Sequence, residues 1–136
     1  MNIGITGTRY GTTHEQLQEG VLIILREEPD EVHHGDCVGA DAEVHHAVGY
    51  DQWIVKHPPI DSKHRAWCEG GLCRDPLPYH VRNHNIVDET DLLLAFPDGP
   101  ERLRSGTWST VRYAEATGKP VTIIYPDGRI EQRSNT

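Results

Sequence analysis

The sequence predicts an α/β fold: a Rossmann-like, three-layer α/β/α arrangement on a mostly parallel five-stranded sheet. Three observations predict it. Short apolar runs alternate with stretches of helical periodicity, and such alternation implies parallel strands with helices on both faces. Asp91-Leu92-Leu93-Leu94-Ala95-Phe96 is almost wholly apolar, as a strand covered on both sides must be. Two strand-to-helix junctions, Gly7-Thr8-Arg9 and Ser105-Gly106-Thr107, are small and hydroxyl-rich, a composition that lets backbone N–H groups converge on phosphate.

The elements follow in order. Asn2 to Thr6 reads as the first strand. Thr12-Thr13-His14-Glu15 has capping-box spacing, and Leu17, Val21, Ile24 and Leu25 then make a helical apolar stripe that stops at Pro29. Glu31 to His34 is a short second strand ending at Gly35. Gly39-Ala40-Asp41 opens a helix that runs to about Val48 and ends at Gly49. Gln52 to Val55 is a third strand, stopped by Pro58-Pro59. Residues 60–78 read as a long irregular loop, and long loops in compact domains tend to be functional. Tyr79 to Glu89 is a third helix. Asp91 to Phe96 is the fourth strand, Thr107 to Thr117 the fourth helix closed by Gly118, and Val121 to Tyr125 the fifth strand. Residues 1–128 form one domain, and 129–136 read as a polar C-terminal tail.

Composition bounds the function. A formal charge of −8 over 136 residues argues against a broad nucleic-acid-binding surface, yet leaves room for a small anion met by a few local arginines. No apolar run approaches membrane-spanning length, and Met1 leads directly into a strand, so a cytoplasmic protein without a membrane partner is expected. Three cysteines are too few and odd in number for a disulfide framework.

Parallel sheets bind ligands beyond the carboxyl ends of their strands, and the chemistry-bearing loops all fall on that side. Gly7, Thr8 and Arg9 combine a close backbone approach with a hydroxyl and a guanidinium; a plain tight turn with a solvated arginine is the alternative. Gly35, Asp36, Gly39 and Asp41 frame a short loop at a helix start, where Asp41 either accepts from a ribose hydroxyl or offsets the helix dipole. Arg82 and Asn83 offer a cation beside an amide, suited to phosphate or a base edge. Trp108, next to Ser105, Gly106 and Thr107, either stacks on a base or belongs to the core. A metal site of Cys68, Cys73, His80 and His84 is geometrically conceivable, but its spacing matches neither a zinc ribbon nor H-E-x-x-H, and no metal or cofactor is expected. No nucleophile elbow or Ser/His/Asp order stands out.

Together these motifs resemble the SLOG superfamily of Rossmann-like proteins, which includes the YspA-type proteins, the DprA/Smf DNA-uptake proteins and the cytokinin-activating phosphoribohydrolases. The resemblance runs from Ile3-Gly4-Ile5-Thr6-Gly7-Thr8-Arg9 through Gly35-x3-Gly39-Ala40-Asp41, Arg82-Asn83 and Ser105-Gly106-Thr107 to Pro120-Val121-Thr122-Ile123-Ile124. It implies a nucleotide-like or phosphoribose-containing ligand and self-association through helices flanking the sheet. The phosphoribohydrolases carry P-G-G-x-G-T-x-x-E; here Gly106-Thr107 match the G-T and Thr110 stands where the catalytic Glu would be. The phosphate cradle survives and the known acid is missing. A binding protein, acting as sensor or sequestrant, is therefore the leading expectation. An enzyme that cleaves an N-glycosidic bond, with Asp36, Asp98 or Glu101 as a substitute acid, is the alternative. Single-stranded DNA binding is the weaker third.

Overall fold

The structure is a computed structural model and describes residues 1–134. The chain runs β1 (Asn2–Gly7), α1 (His14–Glu27), β2 (Glu31–His34), α2 (Ala40–Val48), β3 (Ile54–Lys56), a 3-10 turn at Ser62–His64, and β4 (Leu72–Cys73). It continues with α3 (Tyr79–Asp88), β5 (Leu92–Phe96), α4 (Gly106–Ala116), β6 (Val121–Ile124) and β7 (Ile130–Arg133). The strands form one sheet in the order β4-β3-β2-β1-β5-β6-β7, parallel except for β7.

The α/β class and the parallel sheet are as expected, but the sheet has seven strands rather than five. β4 is an edge strand of two exposed residues, too short to carry any periodicity. β7 lies within the segment read as a polar tail. The Pro126-Asp127-Gly128 turn folds it back on β6, with Tyr125 N–H donating to Arg129 O at 2.9 Å. Its residues are exposed or half-buried throughout, so no apolar face announced it.

Strand alternation explains the core. Ile3, Ile5, Val32, Leu94 and Phe96 pack with Ile23 and Ile24 of α1 and Val44 and Val48 of α2. On the opposite face Leu93, Ala95, Val121 and Ile123 meet Val87 of α3 and Trp108, Val111 and Ala114 of α4. β5 feeds both clusters, which is why its sequence is an unbroken apolar run.

The α1 capping box is one residue later than its sequence spacing suggested. Thr13 Oγ1 accepts from Gln16 N–H at 3.1 Å, and Gln16 Oε1 accepts from Thr13 N–H at 3.2 Å. Gln16 is buried, and its Nε2 donates to Pro97 O and Ile124 O, both at 2.8 Å. One side chain thus closes a helix and ties it to the ends of two strands.

Candidate functional site

From β1 the chain winds outward through β2, β3 and β4; from β5 it winds the other way. The carboxyl ends of β1 and β5 lie side by side, with Gly7 paired to Phe96, and their loops diverge. The divergence opens a cleft of about 600 Å³. This is the reversal point at which such sheets accept ligands.

Of the residues read from sequence as ligand-binding, ten line the cleft: Gly7, Thr8, Arg9, Gly35, Asp41, Arg82, Asn83, Ser105, Gly106 and Thr107. Three do not: Asp36, Gly39 and Trp108. Gly39 acts one step back. Its φ is +90°, and a Cβ there would strike the Thr8 carbonyl, so the start of α2 packs backbone-to-backbone against the β1 turn. Ala40 N–H seals that contact by donating to Thr8 O at 2.9 Å.

The β1 turn spends most of its amides internally. Thr8 N–H donates to Phe96 O at 2.9 Å and Tyr10 N–H to Thr8 Oγ1 at 3.1 Å. The cradle expected from Gly7-Thr8-Arg9 amides is therefore reduced, and the turn presents chiefly the exposed Arg9 side chain. At the other junction Ser105 caps α4 by accepting from Trp108 N–H at 3.3 Å. The N–H groups of Gly106 and Thr107 come first in this helix and have no acceptor within it. Nothing lies within 4 Å of where a Gly106 Cβ would sit, so a ligand can come close to that backbone.

Arg82 is the centre of the floor. It is buried, and its Nη1 donates to Gly35 O at 2.5 Å and to His57 O at 3.1 Å. A Cβ on residue 35 would collide with that guanidinium, so the glycine makes room for the arginine. Asp41 is also buried, and its Oδ2 accepts from Gly35 N–H at 3.0 Å and Cys37 N–H at 3.3 Å. Burial pushes the Asp41 carboxyl up to about 6, against the pull of the Arg82 guanidinium. Both residues line the cleft, and behind its wall Asp41 Oδ1 and Arg82 Nε are buried without a partner, one acceptor and one donor.

The rim is cationic. Five Arg or Lys side chains line the cleft (Arg9, Lys63, Arg82, Arg102, Arg104) against three Asp (Asp41, Asp61, Asp98). A chain of charge −8 thus concentrates positive charge at this one place.

Of the three substitute acids, only Asp98 lines the cleft. Asp36 is wholly buried outside the cleft, paired with Arg65 at 2.9 Å and accepting from Cys68 N–H. Glu101 turns away to Arg112 and Arg133. Asp98 reaches the rim but is paired with Arg102 at 2.7 Å, which holds its carboxyl below the usual range. Thr110, at the position of the missing Glu, donates its hydroxyl to Gly106 O at 2.8 Å. Asp41 is the lining carboxyl whose environment favours the proton.

Trp108 is fully buried in the α4 core, 6.2 Å from the Tyr125 ring, and cannot stack on a ligand. The aromatics at the cleft are Tyr10 and Tyr79, which the sequence reading missed. Tyr10 follows Arg9 directly and was within reach of that argument; Tyr79 opens α3 on the turn that carries Arg82.

The four-residue metal alternative also dissolves. Cys68 is buried beside His34 and His45, Cys73 is exposed on the edge strand, and His84 stacks on Tyr113 at 3.7 Å. Among the described residues, three metal-ligating groups converge instead at His34–His45–Cys68 and at His33–His57–Glu89. No helix among the described residues is long and apolar enough to cross a membrane.

No family model matches the chain, and no curated protein matches it. Solved structures do. A molybdenum cofactor binding protein from the phototrophic bacterium Rippkaea orientalis superposes with a TM-score of 0.69 at 21% identity, over 91% of this chain and 76% of that one. A structural-genomics target named TM1055 gives 0.65 at 17% identity, over 88% and 71%. At these identities the similarity is one of fold, and the fold is Rossmann-like.

Proposed function

We propose that this chain is a SLOG-type protein that binds a phosphate-bearing, nucleotide-like small molecule in the β1–β5 cleft, as a sensor or sequestrant. One observation carries the reading: a cationic cleft at the reversal point of the sheet, in an otherwise acidic chain, opened by a capped helix N-terminus. In this reading the Gly106 and Thr107 amides, Arg9 and Arg104 meet phosphate. Asp41, on the cleft wall, meets a ligand hydroxyl, and Tyr10 or Tyr79 covers a ring. A structural neighbour named for binding a molybdenum cofactor supports a ligand of this organic, cofactor-like kind. Self-association and a cytoplasmic location complete the reading.

The test is mass spectrometry of small molecules released by denaturing freshly purified protein, with a thermal-shift panel of nucleotides beside it. A phosphate-bearing heterocycle at near-stoichiometric amount, or clear stabilisation by a panel member, supports the binder. An empty protein that no panel member stabilises speaks against it.

A hydrolase is the second reading, because Asp41 offers a proton-bearing carboxyl at the cleft wall. It requires free base to be released from a nucleoside monophosphate by the wild type and not by Asp41→Asn. Single-stranded DNA fits less well, since the chain as a whole carries a net −8; salt-sensitive gel retardation would revive it.

A further inference from the structure

Four buried histidines lie on the β2–β3 side in two hydrogen-bonded pairs that the cleft does not use: His34 with His45, and His33 with His57. Their hydrogen bonds separate them chemically. Asp36 N–H donates to His34 Nδ1 at 2.9 Å, so the His34 proton sits on Nε2 and is donated to His45 Nδ1, also at 2.9 Å. His45 Nε2–H then donates to Glu69 O at 2.7 Å. Every ring nitrogen is matched in a single neutral tautomer. A metal on His34 Nε2 would need an imidazolate, so the His34–His45–Cys68 group is a structural relay.

The other pair has the opposite polarity. His33 Nε2 faces the Glu31 carboxylate at 2.8 Å, and Asn2 Nδ2 holds that carboxylate at 3.1 Å. The proton therefore sits on Nε2, and His33 Nδ1 turns its lone pair toward His57 Nε2, 2.8 Å away. A carboxylate fixing the far nitrogen of a histidine is the outer-shell arrangement that orients metal ligands. Glu89, at the end of α3, brings a carboxylate oxygen within 4.8 Å of the ligand atoms of both histidines. Arg74 takes Glu89 Oε1, which leaves the second oxygen.

We propose that His33, His57 and Glu89 bind a zinc-class divalent cation, with Glu31 as the carboxylate orienting His33. Two imidazoles and a carboxylate are a recurrent zinc donor set, with water as the fourth ligand. Burial and neighbouring charge keep the His57 imidazole neutral, the ligating form. Zn–N bonds of about 2.0–2.1 Å place tetrahedral nitrogens a little over 3 Å apart, so binding opens the present pair by roughly half an ångström. Arg74 and Arg82 stand nearby, and the charges of Glu31 and Glu89 offset them. The ion would pin β2, the end of β3 and the end of α3 together. Because His57 O accepts from Arg82, it would also brace the arginine under the cleft.

The experiment uses tag-free, chelator-treated full-length protein titrated with Co²⁺ and then Zn²⁺. The expected result is one equivalent of Co²⁺ with visible d–d bands of a four-coordinate site, no thiolate charge-transfer band, and displacement by Zn²⁺. Glu89→Gln and Glu31→Gln, both partly exposed and checked for fold by circular dichroism, each weaken binding about 10–100-fold. His57→Asn removes it. The proposal is overturned by substoichiometric binding in the wild type, by a thiolate band that places the ion at Cys68, or by wild-type affinity in both glutamine variants. None of these readouts depends on the ligand of the β1–β5 cleft.

Discussion

Arg82 owes its position to the missing side chain at residue 35. Gly35→Ala is expected to expel the guanidinium from the cleft floor, lowering both stability and ligand affinity. Arg82→Ala removes the donor shared by two buried carbonyls, Gly35 O and His57 O, and should destabilise by about 2–4 kcal/mol in chemical denaturation. An unchanged unfolding midpoint would refute the buried role. Weaker ligand binding with little effect on fold is expected instead of Arg104→Ala and Thr107→Val. The Arg82-Asn83 pair was visible in sequence, but nothing in one turn of helix says that a guanidinium folds inward onto a glycine 47 residues earlier. The same blindness applied to Trp108. Thr107 and Trp108 are adjacent in sequence and about 100° apart around the helix, so one lines the cleft while the other fills the core.

Helices and central strands were legible because periodicity and caps are local properties. The α1 cap shows the limit of that legibility. Thr12 and Thr13 are chemically alike, and the choice between them rests on Gln16 reaching Pro97 and Ile124 across the fold. Thr13→Ala should cost about 1 kcal/mol, read as a lowered Tm, whereas Thr12→Ala should cost distinctly less. Edge strands escaped because their evidence is the partner and not the strand. β7 pairs all four of its residues with β6, and its Arg133 gathers Glu131, Glu115 and Glu101. Ending the chain at Gly128 should expose β6 as a new edge, and light scattering on heating should show earlier aggregation than in the full chain.

Across the whole molecule, protonation links the cleft to stability. Asp41 titrates near 6 when folded and near 3.8 when unfolded, so the folded state holds the extra proton between those values. Its contribution is fully present below pH 3.8 and is lost as pH rises through 6. The stability of the wild type relative to Asp41→Asn should therefore fall by a few kcal/mol from pH 4 to pH 6.5 and then level. A difference that stays flat with pH would show that Asp41 is not desolvated as described. If the ligand is the anion proposed, its affinity should also weaken with salt, because the basic side chains at the cleft would be screened.

The placing of that rim has a consequence for which anions reach it. Screening limits the pull of the cleft to about 8 Å at physiological ionic strength. A compact anion entering there would meet five basic side chains against three Asp. A long polyanion would also have to pass the rest of a chain that carries −8 in all, and would be repelled there. If the cleft holds an anion as proposed, it would sort candidates by size before shape.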